Sequence, residues 1–191
     1  MIGGFEWGAR LPTLEGTRVV LRPLDERDVP ELFAIFSDAE VMRYWDSPPM
    51  TSVAEASRLL TRIDAGLRGR HLFQWGVTEP PERRLIGTCT LFRVDRSHRR
   101  AEIGIAMASH SWGKGLAADA LTTLIAFAFD RLNLHRLEAD VDPRNVRSLR
   151  LLERQDFRRE GYLRERYHVS GEPQDSILLG LLRPDWNRRA V

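Results

Sequence analysis

The chain has 191 residues, 42% of them hydrophobic and 29% charged, with a formal net charge of +2; a chain of this length buries about 70% of its unfolded surface and needs neither metal nor disulfide to fold. The near-neutral balance gives a nucleic-acid binder no footing unless its arginines cluster on one face, and the single Cys89 excludes an intrachain disulfide and suits a reducing, cytoplasmic compartment. The start, MIGGFEWGARLP, lacks the basic and apolar regions of a signal peptide, and no apolar run approaches about 18 residues, so no membrane span is expected.

Read in chain order, residues 1–15 form an N-terminal arm or edge segment of a single domain spanning 1–191. Thr17–Arg22 is a strand ending at Pro23. Val29, Leu32, Phe33, Ile35 and Phe36 carry helical spacing over 25–38, with Asp25 or Asp28 as N-cap. A loop rich in aromatics and prolines follows over 41–49. Ser52 and Glu55 then form a capping box for a helix that runs to about Gly69. Strands are expected at 72–78, 85–93 and 101–107. Leu116, Ala117, Ala120, Leu121, Leu124, Ile125, Ala128 and Phe129 mark a further helix. A strand at 136–141, a short helix at 145–155 and strands at 157–168 and 176–182 complete the chain, the last two joined across Ser170-Gly171-Glu172-Pro173. The order β-α-α-β-β-β-α-β-α-β-β predicts a mixed α/β fold.

Lys114 is the only lysine; arginine supplies every other strong base, a bias that suggests a GC-rich bacterial genome. Lys114 lies in Trp112-Gly113-Lys114-Gly115-Leu116-Ala117, between a strand and a helix. Glycines allow backbone N–H groups close to a ligand, and a helix N-terminus adds unpaired donors and positive dipole. Together these make an anion cradle suited to a pyrophosphate, although a tight connection holding no ligand needs the same residues. Two familiar nucleotide motifs fail. Gly115 stands where a P-loop requires Ser or Thr, and no acidic residue ends a next strand as the dinucleotide fingerprint requires.

The loop, following the strand AEIGIAM, resembles the [Q/R]-x-x-G-x-[G/A] turn of the GNAT superfamily of acyl-CoA N-acyltransferases, with Trp112 in place of Gln or Arg. Asn145-Val146-Arg147-Ser148 through Asp156-Phe157 resembles the second motif of that superfamily, N-x-x-S-x-x-L-x-x-x-x-G-F. Val19-Val20-Leu21-Arg22-Pro23-Leu24 and Leu181-Leu182-Arg183-Pro184-Asp185-Trp186 are similar to the RimJ/RimL branch, which includes enzymes acetylating the N-termini of ribosomal proteins. The resemblance covers residues 15–186 and implies a splayed mixed sheet of about seven strands flanked by about four helices. It also implies acetyl-CoA as co-substrate. The pyrophosphate would sit on the N–H groups of Gly113, Lys114, Gly115, Leu116 and Ala117, with Trp112 beside them.

Acyl transfer to an amine needs a proton acceptor, oxyanion donors and a proton for the leaving thiolate. Glu102 matches the strand position of the general base in histone-acetylating members; the alternatives are a structural carboxylate paired with Arg96, Arg99 or Arg100, or a base replaced by water. The tyrosine that many members use as acid falls at Leu152, so Ser148 is the substitute suggested by the ribosomal-type branch, against a reading as a helix-interior serine bonding its own backbone. Tyr167 is a further candidate acid. Asn145 reads as an N-cap and pantetheine contact. Oxyanion donors would be main-chain groups near Ile105 and Met107. Arg154 would meet a CoA phosphate or be an exposed helix charge. Asp156, where the motif has Gly, must take the left-handed conformation of a helix end.

The acceptor pocket implied by the resemblance lies at Met42–Trp45 and the late strand pair, with Tyr44, Trp45, Trp75 and Tyr167 as wall candidates and Asp46, Glu165, Glu172 and Asp175 as acids for a cationic amine. A peptide N-terminus is the favoured acceptor, with polyamines, aminoglycosides and other small amines open. A non-catalytic acyl-CoA-binding module is the alternative, given Leu152. Cys89 reads as a buried structural thiol. The histidines show no ligand spacing, so no metal is expected. No nucleic-acid or membrane partner is expected, and the apolar C-terminal strands would permit a homodimer.

Overall fold

A computed structural model describes residues 10–82 and 84–187. Its strands are β1 (Leu14–Glu15), β2 (Val20–Pro23), β3 (Leu72–Thr78), β4 (Leu85–Asp95), β5 (Arg100–Met107), β6 (Arg136–Val141), β7 (Arg158–Val169) and β8 (Glu172–Leu182). Its helices are α1 (Val29–Ser37), α2 (Ala39–Met42), α3 (Val53–Arg68), α4 (Leu116–Ala126), α5 (Val146–Glu153) and α6 (Arg183–Asn187). The strands form one eight-stranded sheet in the order β1-β2-β3-β4-β5-β6-β8-β7. Every pairing is antiparallel except β5 with β6, whose parallel course follows from the crossover through α4.

Two apolar layers hold the sheet between helices. On one face Leu116, Ala120, Leu121, Leu124 and Ile125 of α4 and Leu149 and Leu152 of α5 pack on Ala101, Ile103, Leu137 and Ala139. On the other, Leu32, Ile35 and Phe36 of α1 and Ala56 of α3 pack on Leu85 and Ala106. Strand residues alternate between faces. Ala101, Ile103, Ile105 and Met107 therefore share the α4 face with Leu137, Ala139 and Val141. Glu102, Glu138 and Asp140 face the other way.

The sequence expectations survive with local changes. The eighth strand is the short edge β1, which lies in the segment read as an arm, and Leu11 beside it is buried; residues 1–9 lie outside the described residues. The first expected strand begins at Val20 rather than Thr17, because the N–H groups of Thr17, Arg18 and Val19 donate to the Asp119 carboxylate instead. Asp25 does cap, but over a 3-10 turn at Glu26–Asp28, in a box with the buried Asp28; Asp28 also takes two bonds from Arg22 at 2.8 and 2.6 Å. At α3 neither bond of the expected reciprocal box is made. Glu55 accepts from Thr51 and Ser52, while the Ser52 side chain bonds no helix N–H. The last hairpin turns in two residues, Ser170 and Gly171, both at positive φ, which matches the right-handed twist of the flanking strands.

The end of α5 matters for the site, because it fixes the helix beside the β5–β6 crossover. Asp156 adopts φ 66°. The N–H of Phe157 reaches the Leu152 carbonyl at 3.2 Å and that of Asp156 the Glu153 carbonyl at 3.0 Å, a Schellman closure with Phe157 packed beside Leu152 in the core. Asp156→Gly is expected to raise stability by about 1 kcal/mol, the left-handed cost of a residue with a Cβ, read as a higher urea midpoint at unchanged slope.

Candidate active site

β5 and β6 pair over only three positions, Arg100 with Arg136, Ala101 with Leu137 and Glu102 with Glu138. Beyond Glu102 both strands continue without pairing to one another. β5 stays with β4 as far as Met107, and β6 stays with β8 as far as Val141. The N–H of Ala108 donates to the Ile86 carbonyl at 2.9 Å. By the alternation of an antiparallel ladder, that bond turns the peptide groups of Ile105 and Met107 away from β4 and toward the gap. The Met107 carbonyl finds the Trp112 indole N–H at 2.8 Å.

The gap opens into a cleft of about 170 Å³ that passes through the sheet. On the α4–α5 side its walls include Ile103, Ile105, Leu121, Asn145, Ser148 and Leu152. On the opposite side they include Tyr44, Trp45, Arg93, Glu102, Asp140 and Tyr167. Asn145 caps α5, its side-chain oxygen accepting the Ser148 N–H at 3.1 Å. The hydroxyls of Ser57, Thr61, Thr122 and Thr123 bond the carbonyl four residues back. That of Ser148 makes no such bond among the described residues and faces the cleft with its capacity intact.

At the mouth, Trp112 leads into Gly113 and Gly115, at φ 74° and 77°, where a side chain would strain the backbone. A Cβ on Gly113 would meet nothing within 4 Å, so the space over the loop is open. Leu116 is buried and opens α4 without a side-chain cap, so the donors of the first turn have no side-chain partner among the described residues. A pyrophosphate fits this donor set. The Lys114 side chain is exposed, and its carbonyl accepts from Arg18 at 2.5 Å. Asp119, in the first turn of α4, accepts from Thr17, Arg18 and Val19 at 3.1, 2.7 and 3.0 Å. The loop is thus braced from the start of β2.

Glu102 stands at the apex of the gap, its side chain 14% exposed, and Oε1 accepts from Arg93 at 2.7 Å. The partner is not Arg96, Arg99 or Arg100. A bulge between Phe92 and Asp95 puts Arg93 at φ 50° and swings its guanidinium across the cleft. That bond raises the Arg93 pKa further. Tyr167 donates to Asp140 at 2.8 Å; burial first, and this bond second, push its hydroxyl above the usual tyrosine range, so it stays protonated near neutral pH. Asp140 also accepts from Ser176 and lies 3.6 Å from Arg166. Asp142 is buried and held by Arg144 at 2.5 Å.

Of the sequence candidates, the cleft gathers Glu102, Ile105, Asn145 and Ser148. Met107, Trp112, Gly113, Lys114, Gly115, Leu116 and Ala117 continue from it along the end of β5 into the loop. Arg154 is exposed at the far end of α5, about 13 Å of helix beyond Asn145. Tyr44, Trp45, Tyr167, Asp46 and Asp175 line the cleft as expected. Trp75 does not: it is fully buried, edge-on to Phe127, with its indole N–H on the Pro12 carbonyl. Glu165 and Glu172 lie outside the cleft. Arg93, Asp140 and Asp142 were not singled out, although Asp140 could be placed from the alternation Leu137, Ala139, Val141, which leaves it on the opposite face. Cys89 is fully buried, and burial pushes its thiol pKa up. Among the described residues no group of three acids, histidines or cysteines could hold a metal ion, and no helix is long and apolar enough to cross a membrane.

The sequence matches the family profile described as acetyltransferase (GNAT) domain over residues 18–158. It is 36% identical over 178 residues to the uncharacterized N-acetyltransferase p20 of Bacillus licheniformis, covering 92% of this chain and 99% of that relative. The solved structure of Mycobacterium smegmatis RimJ in complex with CoA-disulfide is similar with a TM-score of 0.83 at 26% identity, covering 93% of this chain and 90% of that one. Vibrio cholerae spermidine N-acetyltransferase in complex with CoA and spermine gives a TM-score of 0.80 at 26% identity, covering 90% and 99%.

The brace behind the loop is open to a direct check. Asp119→Ala strands three backbone donors and is expected to cost about 2 kcal/mol in urea unfolding; a loss under about 0.5 kcal/mol would show that the brace is not holding the loop.

Proposed function

The chain belongs to the GNAT acetyltransferase family, and from that premise we propose that it acetylates the free α-amino group of a peptide or protein, by direct attack within a ternary complex. Acetyl-CoA supplies the acetyl group as a thioester. The observation that carries the reading is the cleft through the sheet, with Glu102 on one face of the gap and Ser148 on the other. A donor held on the α4–α5 side and an acceptor entering past Tyr44, Trp45 and Tyr167 would meet between them.

In this reading the N–H groups of Gly113–Ala117 hold the pyrophosphate, and the unpaired β5 edge at Ile105 and Met107 offers main-chain donors to the pantetheine arm and to the developing oxyanion. Arg93 occupies one oxygen of Glu102, and the other accepts the proton of the incoming ammonium. Ser148 donates its hydroxyl proton toward the leaving sulfur, and Asn145 fixes the turn that presents it. Catalysis by a non-tyrosine acid at the second motif replaces the binding-only alternative raised by Leu152.

The acceptor class follows from charge pairing. Five carboxylates line the cleft: Asp46, Glu102, Asp140, Asp142 and Asp175. Arginines match three of them, Glu102 with Arg93, Asp142 with Arg144 and Asp140 with Arg166. The two left over, Asp46 and Asp175, suit a cationic amine, and the α-amine is favoured by its weaker basicity beside Arg93.

Thiol release with N-terminally free peptides and with spermidine tests the acceptor. A kcat/KM for peptides at least about tenfold above that for spermidine is expected, and the reverse order would overturn the peptide reading. Glu102→Gln is expected to lower kcat by about 10²-fold or more with the KM for acetyl-CoA unchanged. An unchanged kcat would hand deprotonation to water.

A further inference from the structure

The family motif has Gln or Arg at the first position of the loop; Trp112 stands there instead and brings no cation. The structure supplies one from another element. The Arg147 guanidinium, from the first turn of α5, lies over the Trp112 ring at 5.1 Å from the centroid. The ring is a fixed platform: its indole N–H is bonded to the Met107 carbonyl at the end of β5, and its body packs against both apolar layers. Arg147 is exposed and forms no ion pair with a described carboxylate. Arg144, three residues earlier, is locked onto Asp142.

We infer that Arg147 is a phosphate-binding residue for acetyl-CoA, positioned by Trp112 beside the loop at the mouth of the gap. Stacking engages the face of a guanidinium and leaves its N–H donors, which lie in the plane, for an oxyanion. A pyrophosphate on the N–H groups of Gly113–Ala117 would lie next to that plane, since Trp112 immediately precedes Gly113. The pair therefore reaches across the mouth of the gap, from α5 to the end of β5, where α5 and the loop must both meet the donor. The tryptophan keeps the apolar contacts of the strand end and holds the cation of α5 beside the loop. The inference rests on the acetyl-CoA reading of the loop.

The test compares a ligand that has the diphosphate with one that lacks it. Titration calorimetry with CoA is expected to show Arg147→Ala binding about tenfold more weakly than the wild type, as for loss of a charge-assisted bond. Arg147→Lys, which keeps the charge without the planar fork, should lose about threefold. Arg150→Ala removes the same charge from the same helix and should change the Kd by less than about twofold. The KM for S-acetylpantetheine should be the same in Arg147→Ala and wild type. Equal Kd values for wild type and Arg147→Ala would overturn the inference, as would a parallel loss toward S-acetylpantetheine, which would mark Arg147 as shaping the channel. Failure of the wild type to bind CoA would overturn the functional reading, and this inference with it.

Discussion

The site depends on one constraint: two neighbouring strands in the middle of a sheet stop pairing after Glu102 and Glu138. Interior backbone polar groups are costly to leave without partners. A sheet that parts internally therefore exposes an edge that must be satisfied by something other than a strand. Part of the demand is met within the chain, by the Trp112 indole on the Met107 carbonyl. The rest faces the cleft as ordered donors and acceptors on a rigid strand. A pantetheine arm carries amide groups of the complementary kind. The parting also explains why the cleft runs through the sheet rather than over it, and so why donor and acceptor can approach from opposite faces.

Holding such an opening requires bracing at its margins, and the chain places charged groups there. Asp119 gathers the turn before β2 against α4, and Arg18 in that turn holds the Lys114 carbonyl. Ser109, at the start of the connection from β5 to the loop, donates to Asp38 at the N-cap of α2 at 2.8 Å, which ties the Tyr44–Trp45 segment to the same connection. Arg144 rests beside the Tyr44 ring at 5.9 Å while its head holds Asp142. Both mouths of the cleft are thereby linked to the same strand ends.

What the sequence discloses and conceals has a physical pattern. Period and punctuation located the elements, because apolar stripes such as Leu116 to Ile125 must be buried and glycines at positive φ must be glycines. The left-handed Asp156 was legible from the helix-end rule once the motif resemblance placed it where the family has Gly. Caps were less so: Ser52 and Glu55 have the spacing of a box, yet Glu55 has Thr51 as an added partner and the serine does not bond back. Pairing across the sheet was not legible. Arg93 reaches Glu102 only because a bulge reverses the backbone there, and a bulge leaves no mark in composition. Trp75 illustrates the same gap. An aromatic residue on a strand can face either way, and only the register with Cys89 and Pro23 puts it in the core.

The pairing of Glu102 with Arg93 bears on which amines the site can use. A guanidinium at the apex of the cleft disfavours an ammonium beside it, so an acceptor that sheds its proton easily has the advantage. An α-amino group, with a pKa near about 7.7–8.0, is neutral in a substantial fraction of molecules near pH 7.5, whereas a lysine-like alkyl amine near about 10.4 is neutral in roughly one in a thousand. For the α-amine, Glu102 with one oxygen already engaged needs only to collect a proton that is nearly free to leave. For the alkyl amine it would have to draw one against several units of basicity, with Arg93 opposing the charge on arrival. The ion pair of Glu102 with Arg93 therefore suits the site to a weakly basic acceptor, and this is the physical ground for proposing a peptide N-terminus over a polyamine.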